Sequence, residues 1–230
     1  MFQSITPQAI IDDCLSLCDQ DGYGLFGSSD DKYPILVRWI NNELTTLWQW
    51  GKRVNRDVFT KVTGSLTMPA GAYTMSMTAA APAGAAITDW GSPRGVDVST
   101  STSNWRKLKL YNFVTRDHVG LLSYRFIGDT LWLQPTDQAA SYPFRVWYLY
   151  SAPVVTTATL ANAISIPEGS DEYIKQGVVA KMRIKLDDNP APHYALQQQA
   201  RSEVTATLTS AHGDQIIIAD VMDEVGPELW

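Results

Sequence analysis

Few residues in this chain are of a type and spacing that could carry chemistry, and each candidate meets a physical objection. Gly22-Tyr23-Gly24-Leu25-Phe26-Gly27 spells the G-x-G-x-x-G of a dinucleotide site. That chemistry needs a strand before the glycines and a helix opening at their end, so that phosphate meets helix amides. Here a helical pattern precedes and a Ser-Asp stretch follows, so the run reads as a glycine-rich loop. Asp19, Asp21 and Gly22 match part of a calcium loop but lack the further oxygen ligands and closing Glu that a hard cation requires; they read as a polar turn. His118 follows Asp117 and has Ser123 nearby, yet no strained nucleophile turn accompanies them. His118, His193 and His212 are scattered, with no paired spacing suited to a metal. Cys14 and Cys18 stand four apart on a helical pattern, where disulfide geometry is rare and no second ligand pair completes a zinc site. They read as small, half-buried side chains. Asp30-Asp31 and Asp187-Asp188 sit in turn contexts, whereas acid–base work needs a carboxyl held in an apolar pocket. No catalytic constellation emerges. The expectation is a protein that is not an enzyme, with no catalytic residue, cofactor or metal.

Basic residues gather in three places: Lys52, Arg53 and Arg56; Arg106, Lys107 and Lys109 beside Trp105; and Lys175, Lys181, Arg183 and Lys185. Asp171, Glu172, Asp187 and Asp188 largely cancel the last group. These read as solvated or subunit-contacting faces rather than a duplex-reading surface.

The elements that must position these residues follow from periodicity. Thr6-Pro7 supplies a cap and a proline at the first helical position. Ile10, Ile11, Cys14, Leu15 and Cys18 then recur at helical spacing as far as Gly22. Residues 22–31 read as a loop. A second helix is expected from about Tyr33 to Trp50, with Leu36, Trp39-Ile40, Glu43-Leu44 and Leu47-Trp48 along one stripe and Gly51 as terminator.

From Asp57 the period changes to two. Val58, Thr60 and Val62 alternate, followed by Tyr73, Met75 and Met77. The same alternation runs through Leu122, Tyr124 and Phe126, then Leu131 and Leu133, then Phe144, Val146, Tyr148 and Tyr150. Gly128-Asp129 marks a hairpin turn. Residues 57–152 are thus expected to form a mostly antiparallel β domain, a small sandwich or barrel. Within it, residues 79–104 are rich in Ala, Gly, Ser and Thr and read as a mobile loop, or an arm that orders on a partner, anchored by Trp90 and Arg94.

After Pro153 an extended linker leads to Ile164-Ser165-Ile166-Pro167. A third helix, capped by Ser170 or Asp171, carries Ile174, Val178, Met182 and Leu186 inward. Residues 187–192 break it. A fourth, with Leu196, Ala200, Val204 and Leu208 inward, ends near Gly213, giving a helical hairpin. The fold class is α+β. Residues 1–56 and 153–213 build a helical bundle, residues 57–152 are an inserted antiparallel β domain, and residues 214–230 form an extended arm. In that arm Ile216, Ile217, Ile218, Val221, Met222, Leu229 and Trp230 are apolar among acids. Such a segment either folds back on its own domain or extends onto another chain by strand addition.

Charge supports that division. The chain has 18 Lys and Arg against 24 Asp and Glu, a net of −6. Residues 1–201 hold 18 of each, while residues 202–230 hold six acids and no Lys or Arg. The body is neutral and the tail acidic, which marks the tail as an interaction arm whose natural complement is a basic groove. An apolar content of 45% with 18% charged residues excludes a wholly disordered chain. No apolar run reaches the roughly 18 residues of a membrane span, and the first residues lack the basic stretch and apolar core of a secretion signal.

The order of these segments resembles the head–tail adaptor (connector) proteins of tailed bacteriophages. The resemblance rests on Ile10-Ile11-Asp12-Asp13, on Trp39-Ile40-Asn41-Asn42-Glu43-Leu44, and on Phe126-Ile127-Gly128-Asp129-Thr130-Leu131-Trp132-Leu133-Gln134-Pro135. It extends through Val146-Trp147-Tyr148-Leu149-Tyr150 with Pro153, Ile166-Pro167, Asp171-Glu172-Tyr173-Ile174 and Leu186-Asp187-Asp188-Asn189. It implies a structural protein of the virion neck, made in the host cytoplasm, forming a dodecameric ring around the DNA channel without sequence-specific binding or membrane contact. It implies two further partners, a portal protein reached by the C-terminal arm and a tail or nozzle protein. The competing expectation is a β-domain binding module whose Trp132, Trp147 and Tyr148 recognise carbohydrate or a host surface.

Overall fold

The structure, a computed structural model, describes residues 2–18, 26, 29–79, 87–101, 104–111, 122–134 and 142–211. The fold is α+β, and the chain divides into two units: Met1–Val58 with Pro153–Trp230, and Phe59–Ala152.

In the first unit, strand β1 (Phe2–Ile5) pairs antiparallel with β10 (Ile164–Pro167), Phe2 opposite Pro167 and Ile5 opposite Ile164. Helix α1 (Pro7–Leu17) begins as its sequence requires: Thr6 Oγ1 accepts from the Ala9 amide at 3.3 Å and Pro7 occupies the first turn. Ile10, Ile11, Cys14 and Leu15 are buried. Cys14 Sγ faces the Lys175 carbonyl and Cys18 Sγ lies 3.9 Å from Met182 Sδ. Burial, reinforced by the Cys18 thiol, pushes the Cys14 thiol far above its ordinary range, so it is held as an inert packing group.

Helix α2 spans Ser29–Val54. It starts a turn earlier than Tyr33, enclosing Pro34, and it runs through Gly51, whose carbonyl still accepts from the Asn55 amide at 2.9 Å. A single glycine lowers helix propensity by about 1 kcal/mol, and the buried apolar stripe from Leu36 to Trp50 outweighs that. Asn41 holds the returning chain, donating to the Val155 carbonyl and accepting from the Val155 amide at 2.8 and 2.9 Å. The linker there is not wholly extended, for Thr157–Thr159 form a 3-10 turn.

Helices α3 (Ser170–Lys185) and α4 (Ala191–Ser210) form the hairpin. The α3 cap is Gly169 rather than Ser170 or Asp171. Asp171 instead sits in the first turn and accepts from Gln3 and Lys175, tying β1 to the helix. On α4, Leu196 is 46% exposed and the neighbouring Gln197 is buried in its place. Inward polarity there answers a buried carboxylate, described below.

The second unit is two four-stranded sheets facing one core. The first has the order β2 (Thr60–Val62), β9 (Phe144–Tyr150), β4 (Trp90–Ser101), β5 (Asn104–Lys107). The second has the order β3 (Thr74–Ser76), β8 (Thr130–Gln134), β7 (Ser123–Ile127), β6 (Lys109–Leu110). Val96, Val98, Phe144 and Val146 of one sheet meet Met75, Tyr124, Leu131 and Leu133 of the other, with Met68, Met77 and Leu108 closing the ends. Leu108 donates to the Val96 carbonyl, after which the chain crosses to the second sheet, where β6 runs parallel to β7. The β7–β8 turn has Gly128 at φ 62° followed by Asp129. Positive φ at the first of two loop residues is the II′ arrangement that matches strand twist, and glycine adopts it without steric cost.

Two expectations are corrected here. Residues 90–101 are not loop but a strand between β9 and β5. Pro93 is compatible with it because β5 pairs only with Asp97–Ser101, leaving that edge of the Pro93 half open. Residues 80–86, 102 and 103 of the small-residue stretch lie outside the described residues. The parity of Asp57–Val62 is also inverted. Phe59 is fully buried and Val62 is exposed, because Asp57–Phe59 form a 3-10 turn that rotates the start of β2.

Candidate interaction surface

Among the described residues of the helical unit is a buried polar knot. Glu43 on α2 accepts from Lys181 Nζ on α3 and, at 2.8 Å, from Gln197 Nε2 on α4. Gln197 also donates to the Tyr173 carbonyl at 3.4 Å. Three helices can meet this closely because residue 177 has no side chain: a Cβ there would lie 2.3 Å from Gln197 Nε2 and 2.6 Å from Glu43 Cδ. Burial, then the Glu43 charge, raises the Tyr173 phenol. A buried charge so paired contributes little net stability and a good deal of geometric definition, since either partner alone is costly. The knot fixes the bundle rather than performing a reaction.

In the β unit the polar chemistry lies on the outside of the first sheet. Asp97 on β4 accepts from Arg145 Nε at 2.9 Å and Trp147 Nε1 at 2.7 Å, both on β9. The Arg145 guanidinium lies 4.6 Å from the Trp105 ring and 5.3 Å from the Trp147 ring. A flat cation over two aromatic faces, held by one carboxylate, is an ordered patch. The second sheet carries Arg125 at 4.7 Å over Trp132, with Tyr73 at 5.5 Å from the same ring. Trp105, Trp132 and Trp147 thus each offer a ring face to a guanidinium of their own sheet, which competes with the stacking a sugar would require.

Trp90 and Arg94 belong to this framework. Trp90 stacks on Tyr148 at 5.1 Å and lies 5.8 Å from Phe126, bridging the two sheets. Arg94 is exposed, and its Nη1 donates to Thr60 Oγ1 at 2.8 Å. Beside them Asp89 accepts from Lys61 and, at 3.0 Å, from the Tyr148 hydroxyl. Burial pushes the Asp89 carboxyl up, but these donors outweigh it and hold it below the usual range. Its ionised form therefore stabilises the folded state above the unfolded carboxylate pKa of about 3.9. That contribution fades as pH falls through the lower folded value. Asp89→Asn should flatten the acid limb of a tryptophan-fluorescence unfolding curve below about pH 4; an unchanged acid limb would contradict the assignment.

Ile216, Ile217, Ile218, Val221, Met222, Leu229 and Trp230 lie outside the described residues, as do His118, His212 and all of the glycine run except Phe26. Among the described residues no group of three or more His, Cys, Asp or Glu is placed to hold a metal. His193 is the described histidine; its Nδ1 lies 2.8 Å from Gln176 Oε1, and burial, followed by the Arg183 charge, lowers it. No described helix is long and apolar enough to cross a membrane.

What such a scaffold is for follows from comparison with known families. The model of the SU10 adaptor protein family matches residues 6–217, nearly the whole chain. The chain belongs to the SU10 adaptor proteins. No curated protein matches it. As an SU10 adaptor it is a structural protein of the tailed-phage head–tail class, one that interacts with portal and tail components at the virion neck. Within the SU10 adaptor match, the helical signals of α1, α2, α3 and α4 flank the residues of both sheets. Sequence reasoning missed the Asp97–Arg145–Trp147 patch and the Glu43–Lys181–Gln197 knot. Asp97 stands 48 or more residues from its partners and Glu43 138 or more from its own, so no local motif announces them.

Proposed function

We propose that this adaptor assembles into a dodecameric ring that joins the portal to the tail and surrounds the DNA channel, without catalysis and without reading DNA sequence. The family match over residues 6–217 carries this reading. The helical unit is the body of the ring. The C-terminal arm, through Ile216, Ile217, Ile218, Val221, Met222, Leu229 and Trp230, docks on the portal; its five acids without a Lys or Arg favour a basic groove there. Extended arms supply main-chain hydrogen bonds and apolar anchors while tolerating small movements and unequal symmetries. The β unit, with exposed Arg94 and half-buried Trp90 on β4, faces neighbouring subunits or the next tail or nozzle component.

Light scattering on the purified chain, alone and mixed with the portal of the same phage, followed by imaging, tests the ring. A closed particle of many times 25.5 kDa is expected in at least one condition. A 25.5 kDa monomer in both would contradict the proposal.

A further inference from the structure

Strand β5 ends the order β2-β9-β4-β5, so among the described residues one of its edges has no strand partner. Its cations also stand apart. Arg106, Lys107 and the following Lys109 are exposed, and none pairs with a carboxylate among the described residues. Residues 59–152 hold eight Lys and Arg against five Asp, a net of +3 in a chain whose total is −6. Of those aspartates, Asp97 is taken by Arg145 and Trp147, Asp89 by Lys61 and Tyr148, and Asp129 by Ser76, Thr78 and Thr130. Asp117 and Asp137 lie outside the described residues.

From the free edge and its uncompensated charge we infer that β5 is a docking strand for an extended acidic segment of a partner protein. The backbone directions support strand addition. The Leu108 amide points to β4, donating to Val96. Amides alternate along a strand, so Arg106 also points to β4 while Trp105 and Lys107 point their amides outward. An added strand would lie about 4.8 Å away. Arg106 and Lys107 project to opposite faces of the sheet, so they flank such a strand on both sides and meet carboxylates at successive positions. Nucleic acid fits less well, because the Trp105 ring that a base would stack on already carries the Arg145 guanidinium. Cations on an edge strand also guard against self-pairing, and the experiment separates that role from docking. The inference does not depend on the arm or the ring.

The test is fluorescence titration of the full chain with two probes. One is a labelled peptide alternating valine with aspartate or glutamate; the other is a single-stranded oligonucleotide of similar length. Lys107→Ala removes the charge alone, whereas Lys107→Pro removes the charge and the outward amide and leaves the β4 ladder intact. The peptide should bind the native chain, weaken a few-fold in Lys107→Ala, and weaken about tenfold further in Lys107→Pro. Arg106→Glu with Lys109→Glu, which leaves the β5 backbone unaltered, should abolish binding and covers the case in which the proline variant does not fold. Three results would overturn the inference: no peptide binding to the native chain; equal peptide binding by the proline and alanine variants; or tighter oligonucleotide binding than peptide binding. Self-association of the charge-reversed variant without peptide binding to the native chain would assign β5 to edge protection instead.

Discussion

Phe144→Ala is expected to destabilise the β unit by about 3–5 kcal/mol, the range for emptying a large aromatic site in a packed core. Phe144 is fully buried, and its backbone bonds both ways with Leu66 while its register partner on β4 is Val98. The loss comes from apolar area returned to a cavity that these neighbours cannot collapse into, because each is pinned by ladder bonds. Set against a typical total of about 5–15 kcal/mol, one substitution removes a large share of the stability. Urea unfolding followed by tryptophan fluorescence should show a lowered midpoint. An unfolding free energy within about 0.5 kcal/mol of the parent's would mean that the site is not closed as described.

Gly177→Val is the counterpart in the helical unit, with an expected cost of about 3–5 kcal/mol. On a solvated helix the exchange would be mildly favourable, since valine has the better helix propensity by a few tenths of a kcal/mol. Here the added Cβ alone falls 2.3 Å from Gln197 Nε2 and 2.6 Å from Glu43 Cδ. Those atoms can retreat only by breaking the bonds that hold a buried carboxylate to Lys181 and Gln197. Overpacking and a stranded charge therefore add. Circular dichroism against urea reads the helices directly, and a stabilised variant would refute the knot.

How far the sequence discloses this architecture depends on how local each cause is. Helix α1 is legible because apolar spacing and its Thr6-Pro7 cap coincide within one window, and α3 because apolar spacing meets a polar break, although its cap is Gly169. The β7–β8 hairpin is legible for the same reason, with Gly128-Asp129 set between alternating runs. Strand β4 is not. Trp90 to Ser101 is mostly Gly, Pro, Ser, Thr and charge, and only Val96 and Val98 alternate inward; its long pairing with β9 makes it a strand. Strand β1 has four residues whose partner lies more than 150 positions away, beyond any local pattern. Leu196 and Gln197 show the limit of hydrophobic reading. Spacing favours the leucine as the inward residue, but the glutamine is drawn in by Glu43, itself placed by periodicity on the inner stripe of α2. The interaction patch is the least legible, since Asp97, Arg145 and Trp147 become neighbours only through the β4–β9 register, where Asp97 lies opposite Arg145.

The role proposed for the C-terminal arm is tested most directly by portal binding of a chain ending at His212. The described helices and sheets all lie before that point, so the truncated chain should unfold at the same urea concentration as the full chain. Its affinity for the portal of the same phage should fall by at least about a hundredfold, a loss of roughly 2.7 kcal/mol. Retained affinity in a folded, truncated chain would contradict the arm assignment.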